Sequence, residues 1–330
     1  MKTTLLILTA LVLSIPAGCQ QKAGQEELRS EQGELLTVDF HAGQTLRYKF
    51  VSGREITVDW GTTAGKSRPG RPVSDKSSES LEMIMAYTPV EIDPYGLTTV
   101  RALCESVKVT RSKGPGRDAV ETLAGKTFTL AVGPTGKIED YSQLDQLLKN
   151  VGTKVFRANT DQGRIKEPDM IGDVVATQWF LFDAVSSMDK PSQGAAAGQS
   201  WNSKLSVPIP MVMRKARDVT YRLDEIRPGE KGRLAVISSS YKIADSAPRQ
   251  WPIPYSGTFQ VAGTFGFYRN YRVISLQGSG EELFNIDAGR TEQYRQQYEM
   301  QLSASMMLPL PGVNPKITIK QNIAMNRLED

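Results

Sequence analysis

The 330-residue chain has very few of the side chains on which metal centres and nucleophilic catalysis usually depend. It contains one histidine, His41, and two cysteines, Cys19 and Cys104. Zinc sites combine several cysteine and histidine ligands, and Cys–His or Ser–His catalysis needs a histidine beside the nucleophile. We interpret His41 as a surface residue near the start of the first strand. The sequence therefore predicts no metal and no cofactor, and it favours a protein that is not an enzyme.

Long apolar runs and a strong net charge are also missing. After the N-terminal segment, no stretch approaches the roughly 20 apolar residues that a membrane-spanning helix needs. Lysine plus arginine total 40 against 36 for aspartate plus glutamate, and the formal net charge is +4. This imbalance is too small to indicate nucleic acid as a partner.

The N-terminal segment has the pattern of a targeting sequence. Lys2 precedes an apolar core over residues 5–15, and the sequence PAGC follows it. The small residues before Cys19 resemble the lipobox of bacterial lipoproteins, although Pro16 stands where leucine is usual. An ordinary cleaved secretory signal is the alternative. We predict a signal peptide over residues 1–18 and acylation of Cys19 by a fatty acid such as palmitate.

Residues 19–33 are predicted to be a flexible tether, because they are polar and lack aromatic and β-branched side chains. Such a tether spans on the order of 20 Å on average. A lipidated Cys19 would attach the protein to a membrane of the cell envelope, and Gln20 after it favours the outer membrane, facing the periplasm. Cys104 then has no cysteine partner, and we interpret it as a small buried hydrophobe in a strand.

Alternation of apolar and polar residues dominates the remaining chain, as in Leu46, Tyr48 and Phe50 or in Tyr298 and Met300. This period indicates strands with one buried face, which is typical of antiparallel sheets. Helical periodicity occurs over 140–152, where Gly152 is predicted to end the helix, and over 167–188, where Pro168 suits the first turn. The predicted class is mainly β (α+β): two tandem curved antiparallel sheets or half-barrels, with two helices between or packed on them.

A sequence echo indicates that the fold is duplicated. YTPVEIDPYG, residues 87–96, and YRLDEIRPGE, residues 221–230, share Tyr-x-x-x-Glu-Ile-x-Pro, and the match continues without a gap for fourteen residues. AGQT at 42 and AGQS at 197, and TFTLA at 127 and TFQVA at 258, follow in the same order. The predicted domains are a first β-rich repeat over 34–152 that ends in a helix, a connecting helical segment over 153–196 and a second β-rich repeat over 197–330.

Three short motifs are interpreted as turns and core positions. DPYG and RPGE each combine proline with glycine, as hairpin turns require. Tyr87 and Tyr221 are predicted to be core residues with a solvated hydroxyl tip, and a duplicated ligand pair with the following glutamates is the alternative. VGPTGK, from Val132, lacks the glycine and serine or threonine positions of a phosphate loop and is interpreted as a turn.

Basic residues concentrate in loops that up-and-down strands would bring to one end of the sheets. They form a possible rim facing a polyanion such as anionic lipid headgroups, and ordinary solvated loops are the alternative. The residues of this basic rim are Lys66, Arg68, Arg71, Arg111, Lys113, Arg117, Arg214, Lys215 and Arg217.

The lipobox, the polar tether, the segment GKTFTLAVGPTGKIEDYSQLDQLLKNVG over 125–152 and the duplicated halves resemble a family of bacterial envelope lipoproteins of unknown function. The shared features are turns and packing positions, so the resemblance implies a location and a fold but no catalytic residue. More loosely, the expected sheets are similar to the half-barrel lipoprotein carriers of the bacterial envelope.

The favoured function is a membrane-anchored, non-enzymatic binding or carrier module for an apolar ligand or a partner protein. Methionine and aromatic residues on alternating faces suit an apolar ligand, although plain core packing explains them too. A structural or assembly lipoprotein is the alternative, and a hydrolase that uses carboxylates has no spacing signature to support it. The possible ligand or packing cluster is Met83, Met85, Tyr87, Trp179, Phe182, Tyr221 and Met300. The oligomeric state is left open.

Overall fold

The structure is a computed structural model that describes residues 33–60, 74–113, 118–158, 170–206, 216–245, 268–306 and 315–329. Its strands are β1 (Leu46–Asp59), β2 (Ser74–Ile92), β3 (Thr98–Arg111), β4 (Thr127–Val132), β5 (Ile138–Asp140), β6 (Ser200–Ser206), β7 (Ala216–Gly229), β8 (Gly232–Ile243), β9 (Tyr268–Asn285), β10 (Arg290–Met306) and β11 (Lys316–Leu328). Its helices are α1 (Ser142–Ala158), α2 (Ile171–Phe180) and α3 (Asp183–Ser186), with short 3-10 helices at Ala119–Leu123 and Pro191–Gln193.

The described strands form one open antiparallel sheet in the order β5-β4-β3-β2-β1-β11-β10-β9-β8-β7-β6. The predicted mainly β class, with antiparallel strands and helices between the two halves, is confirmed. The two sheets expected from the sequence are joined, because β1 pairs with β11 from Arg47 and Leu328 to Asp59 and Lys316. This pairing satisfies backbone groups that two separate sheets would leave unpaired at their edges.

The two ends of the sheet differ. At the lower end, where β1 begins, tight turns join β2 to β3, β4 to β5, β7 to β8 and β9 to β10. The DPYG, RPGE and VGPTGK segments lie in three of these turns, as predicted, and Gly96 and Gly136 adopt positive φ there. At the upper end, β1, β3, β6, β8 and β10 end, and the residues that follow them lie partly or wholly outside the described ranges.

One face of the sheet, the inner face, is buried. On β1 alternate residues from Leu46 to Val58 are buried while their neighbours are more exposed, and β11 repeats this from Ile317 to Met325. Strands alternate side chains between two faces, so a regular alternation of burial places one face in the core. The period-two pattern of the sequence thus predicted which residues face inward along these strands.

The sheet curves around the helices. Gln178 in α2 accepts a hydrogen bond from Tyr87 of β2, and the carbonyl of Ala184 in α3 accepts one from Trp201 of β6. Strands β2 and β6 are seven positions apart, about 34 Å along a flat sheet at about 4.8 Å per strand. Six helical residues advance only about 9 Å. The inner face is therefore concave, and α2 and α3 lie against it.

The helices begin and end somewhat differently from the predictions. Asp140 accepts hydrogen bonds from the backbone N–H and hydroxyl of Ser142, at the predicted start of α1. The helix continues past Gly152, because a single glycine costs only about 1 kcal/mol relative to alanine. The second helical pattern gives two helices, interrupted after Phe180, and the predicted first-turn Pro168 lies outside the described residues.

The segment before β1 closes the lower end. Leu36, Val38 and Phe40 are buried, and the Val38 N–H donates to the carbonyl of Pro134 in the β4–β5 turn at 2.8 Å. The ring of Phe182 meets that of Phe40 edge to face at 5.9 Å. This segment joins the turns of the lower end to the break between α2 and α3.

The pairing of the two halves agrees only in part with the sequence echo. Leu46 pairs with Tyr87, and Trp201, its counterpart directly after the second AGQS, pairs with Tyr221. Beyond that point the registers differ, because β7 and β8 are joined by a tighter turn than β2 and β3. The predicted repeats hold β1–β5 and β6–β11, and the duplication itself stays a prediction.

Candidate functional site

Most of the predicted ligand or packing cluster is buried on the concave side, as part of one hydrophobic core. Met83, Met85, Tyr87, Phe182, Tyr221 and Met300 are buried, and Trp179 is half-buried beside Tyr141. Tyr87 donates to Gln178 at 2.7 Å, so its hydroxyl is not solvated as the sequence suggested. Tyr221 stacks on Trp201 at the far side of the sheet, at a centroid distance of 5.9 Å.

The apolar lining is continuous around the centre of the sheet. Phe50 of β1 pairs with Met83 of β2 on one side and with Met325 of β11 on the other, and all three side chains are buried. Met300 pairs with Ile319 one strand further along. Flexible methionines beside aromatic rings form a surface that adapts to apolar groups of irregular shape.

A network of charges is buried within this lining, and we call its residues Arg54, Glu79, Asp173, Arg111 and Asp118 the Arg54 centre. Arg54 pairs with Glu79 through Nε and donates from Nη1 to Asp173 Oδ2 at 2.7 Å. Arg111 donates from Nε to Glu79 Oε2 at 3.0 Å and also pairs with Asp118. Burial lowers the pKa of Arg54, but the charges of Asp173 and Glu79 outweigh it, and the net pKa is raised.

Asp173 ties α2 to the middle of the sheet. Its Oδ1 accepts hydrogen bonds from Ser52 Oγ on β1 and from Gln321 Nε2 on β11, both at 2.6 Å, while Oδ2 faces Arg54. Buried carboxylates are tolerated when paired and fully hydrogen-bonded. The Arg54 centre is therefore best explained as the attachment of α2 to the two strands that join the halves of the sheet.

A second buried arginine lies close to two aromatic rings, and we call Arg217, Phe180, Tyr241, Gln296 and Asp183 the Arg217 centre. The guanidinium carbon is 4.5 Å from the ring centroid of Tyr241 and 5.3 Å from that of Phe180. Its Nη1 donates to Gln296 Oε1 at 2.6 Å. Asp183 Oδ2 lies 3.7 Å from Nη2, which is too long for a hydrogen bond.

Three nitrogen atoms of the Arg217 centre are buried without an acceptor: Nε and Nη2 of Arg217 and Nε2 of Gln296. The Tyr294 hydroxyl lies 2.8 Å from both Asp183 Oδ2 and Gln296 Oε1 and links the acid to the amide. Burial raises the pKa of Asp183, and the charge of Arg217 and the Tyr294 hydrogen bond only partly oppose it. The centre thus has more buried donors than acceptors.

The predicted basic rim is wrong for Arg111 and Arg217, whose side chains are buried and do not face solvent. Arg217 is 1% exposed, because it shares strand parity with the buried residues Val219, Tyr221 and Leu223. Arg111 is held in ion pairs with Glu79 and Asp118, whereas Lys113 is exposed and pairs with Asp75. The remaining rim residues lie outside the described ranges: Lys66, Arg68, Arg71, Arg117, Arg214 and Lys215.

Both buried arginines carried a signal that the sequence interpretation missed. Arg54 stands in the same alternation as Phe50, Ser52 and Ile56, and Arg217 in that of Val219 and Tyr221. In the sequence echo Arg217 takes the position of Met83. A charged residue at an inward-facing position of a strand indicates a buried polar site, and parity alone was sufficient to find it.

Glu282 on β9 is a fully buried acid that neither arginine neutralises. Its Oε2 accepts from the Ala184 N–H of α3 at 2.9 Å, and its Oε1 lies 2.8 Å from Thr291 Oγ1. Burial raises the pKa of Glu282 to about 8, against the effect of the Ala184 hydrogen bond. The folded protein therefore holds this carboxyl in its neutral form at neutral pH.

Stability should fall as the pH rises because of Glu282. Between the ordinary carboxyl pKa and about 8 the folded state binds a proton that the unfolded state lacks, so the unfolding free energy decreases with pH. The slope approaches about 1.4 kcal/mol per pH unit. Glu282→Gln should remove this slope in urea titrations at pH 6, 7, 8 and 9, whereas Glu281→Gln, at the exposed neighbour, should keep it. Parallel pH profiles for wild type and Glu282→Gln would contradict the assignment.

The remaining predicted residues have simple environments. Cys104 is buried, as predicted, and burial raises the pKa of its thiol to about 12, so the thiolate is scarce at neutral pH. His41 is exposed near Asp39, also as predicted. Cys19 lies outside the described residues.

Among the described residues, no three His, Cys, Asp or Glu side chains are grouped to hold a metal ion. In the same ranges, no helix combines the length and apolarity of a membrane span.

Comparisons with known proteins identify no family. No protein-family model matches the chain, and no curated protein matches its sequence. Among solved structures, lipovitellin, from work on its lipid–protein interactions, aligns with a TM-score of 0.48 and 11% identity over 88% of this chain. The chain spans only 26% of that lipovitellin chain. The outer membrane protein OprG from Pseudomonas aeruginosa aligns over 88% of this chain and all of its own length, with 8% identity and a TM-score of 0.15. Similarities of this size carry no argument about function.

Proposed function

We propose that the protein is a non-enzymatic binding or carrier module of the bacterial cell envelope, attached to a membrane by a lipid on Cys19, that takes an amphipathic ligand on the concave side of its sheet. The observation that carries ligand binding is the set of buried nitrogens without acceptors in the Arg217 centre. Such groups are rare, because each costs about 1–3 kcal/mol when left without a partner. A ligand that supplies acceptors removes this cost.

The geometry of the Arg217 centre favours an anionic head group. Nε and Nη2 lie on the same edge of the guanidinium plane, and this edge accepts a carboxylate through two parallel hydrogen bonds. The rings of Phe180 and Tyr241 both pack near the guanidinium, and Gln296 Nε2 supplies a third donor. Asp183 Oδ2 lies beside the same edge, 3.7 Å from Nη2, and burial raises the pKa of this acid.

The apolar part of the ligand fits the methionine and aromatic lining. Met83, Phe50 and Met325 lie side by side on three neighbouring strands. Near Arg217, the rings of Phe180 and Tyr294 stack with a centroid distance of 5.2 Å. A fatty acid or a similar long-chain anion has both the anionic head group that suits the Arg217 centre and the apolar chain that suits this lining.

The experiment compares a fluorescent long-chain fatty acid with its methyl ester, using the chain from residue 19 onward with Cys19→Ser, so that neither the predicted signal peptide nor an anchor lipid competes. We expect the acid to bind at least about tenfold more tightly than the ester, since hydrogen bonds to charged groups contribute about 1.5–3 kcal/mol. In Arg217→Met the two affinities should converge. A double variant, Arg217→Met with Asp183→Asn, avoids leaving Asp183 buried without its charged neighbour. The control is Lys113→Met, which removes an exposed positive charge and should leave both affinities unchanged.

Each outcome of this comparison has a distinct meaning. If neither probe binds, and solvent extraction of the purified protein releases no lipid, ligand binding is wrong. If acid and ester bind equally well, the protein binds an apolar ligand, but Arg217 does not recognise its carboxylate. A separate experiment, labelling of cells with palmitate, should label wild type but not Cys19→Ser.

A further inference from the structure

The hairpin between β2 and β3 exposes an unusual number of apolar side chains. Val90, Ile92, Tyr95 and Leu97 are 38–88% exposed, with Tyr95 the most exposed of them. We call these four residues the hairpin tip. Among the described residues, only Leu35 and Ile274 are other large apolar side chains exposed in this way. Scattered exposed apolar residues are normal, but a group in one hairpin indicates a contact surface.

The hairpin tip is held firmly in its exposed position. Asp93 Oδ1 accepts hydrogen bonds from the backbone N–H groups of Tyr95 and Leu97, both at 2.8 Å. Gly96 supplies the positive φ of 84° that the turn requires, and its N–H donates to the Asp93 carbonyl at 3.1 Å. The sequence and the turn thus present apolar side chains outward on a defined loop.

The tip lies at the end of the molecule from which the chain leads back to Cys19. A methyl group built on Gly96 would lie 3.3 Å from the Pro134 side chain, and the Pro134 carbonyl accepts from the N–H of Val38. The exposed Leu35 is in the same N-terminal segment, and the described chain begins at Gly33. The tether that the sequence predicts between Cys19 and Gly33 has an expected reach on the order of 20 Å.

We infer that the hairpin tip, together with Leu35, inserts into the interfacial layer of the membrane that holds the protein. This inference rests on the anchoring part of the proposed function. Tyrosine suits the layer between headgroups and acyl chains, because one end of its ring is polar and the rest apolar. Glu91 and Asp93 are the charged groups of the hairpin itself, so the attraction is apolar and does not need anionic lipid.

A vesicle flotation experiment tests this surface. The chain from residue 19 onward, without the predicted signal peptide and with Cys19→Ser, is mixed with vesicles of phosphatidylcholine and phosphatidylethanolamine, and the floated fraction gives a partition coefficient. Ile92→Thr with Tyr95→Ser should lower it about tenfold, since each change removes apolar area from the lipid contact. The matched control is Ile274→Thr, at an exposed isoleucine on β9 far from the tip, which should leave partitioning unchanged.

Three results would overturn the inference: no flotation of the parent chain, equal flotation of the tip variant, or an equal loss in Ile274→Thr. Flotation that appears only with anionic lipid also counts against it, because a basic surface would then be responsible. A protein partner is indicated if the tip variant floats normally but loses a crosslink in cells. The tip variant should bind the fatty-acid probe like the parent, so failure of ligand binding and failure of membrane insertion are separable.

Discussion

Asp173→Ala should lower the unfolding free energy by about 3–5 kcal/mol, the largest effect that we expect from a single side chain. The change removes a fully buried carboxylate that accepts from Arg54, Ser52 and Gln321, and it leaves Arg54 with Glu79 as its remaining acid. Removing one partner of a buried ion pair is costly because the other charge stays buried without compensation. Urea denaturation followed by circular dichroism, with the slope m monitored, measures the change.

The matched control for Asp173 is Glu105→Ala. Glu105 also pairs with an arginine, Arg47, at 2.6 Å, but both side chains are about one third exposed. Exposed ion pairs contribute about 0–1 kcal/mol, so this variant should unfold almost like wild type. A small effect of Asp173→Ala, similar to that of Glu105→Ala, would mean that α2 is not attached to the sheet through the Arg54 centre.

Gly278→Ala should destabilise the protein by about 1–3 kcal/mol, although alanine is a small residue. A Cβ at this position of β9 would overlap the ring of Tyr241 and lie 2.5 Å from the carbonyl of Gln297. Tyr241 passes over the glycine, donates to that same carbonyl at 2.7 Å and packs against the guanidinium of Arg217. The change should therefore also weaken binding of the fatty-acid probe.

Two further variants isolate the cause of this effect. Gly53→Ala places a methyl group where nothing lies within 4 Å, and its effect should stay within about 1 kcal/mol of wild type. In a double-mutant cycle, Gly278→Ala should cost much less in a Tyr241→Ala background, because the ring is no longer in the way. Strictly additive losses would show that the glycine is needed for another reason.

Local patterns in the sequence predicted much of the fold. The alternation in β1, β11 and β10 identified the inward-facing residues, since side chains on a strand alternate whatever the strand pairs with. The turn residues of DPYG and VGPTGK identified two hairpins, because proline and glycine restrict the backbone locally. Alternation also placed Tyr87 and Tyr221 correctly in the core, but the predicted solvated hydroxyl of Tyr87 is instead buried against Gln178.

The site was predicted less well. Methionines and aromatic residues of the inner face were named, but the sequence interpretation assigned Arg217 to a surface rim and did not consider Arg54. Strand parity would have placed both arginines inside, but their partners lie in other elements. Asp173 is 119 residues from Arg54 along the chain. Gln296 and Asp183 are 79 and 34 residues from Arg217, so only folding brings these partners together.

By itself, the sequence determined a mainly β protein of antiparallel strands, with two helical segments between two β-rich halves. The tertiary structure decided that the halves form one sheet, through the pairing of β1 with β11, and that this sheet curves around α2 and α3. It also decided which charges are buried together. The physical reason is that alternation and turn chemistry act between neighbours in the chain, whereas sheet order and ion pairing depend on contacts between residues far apart in sequence.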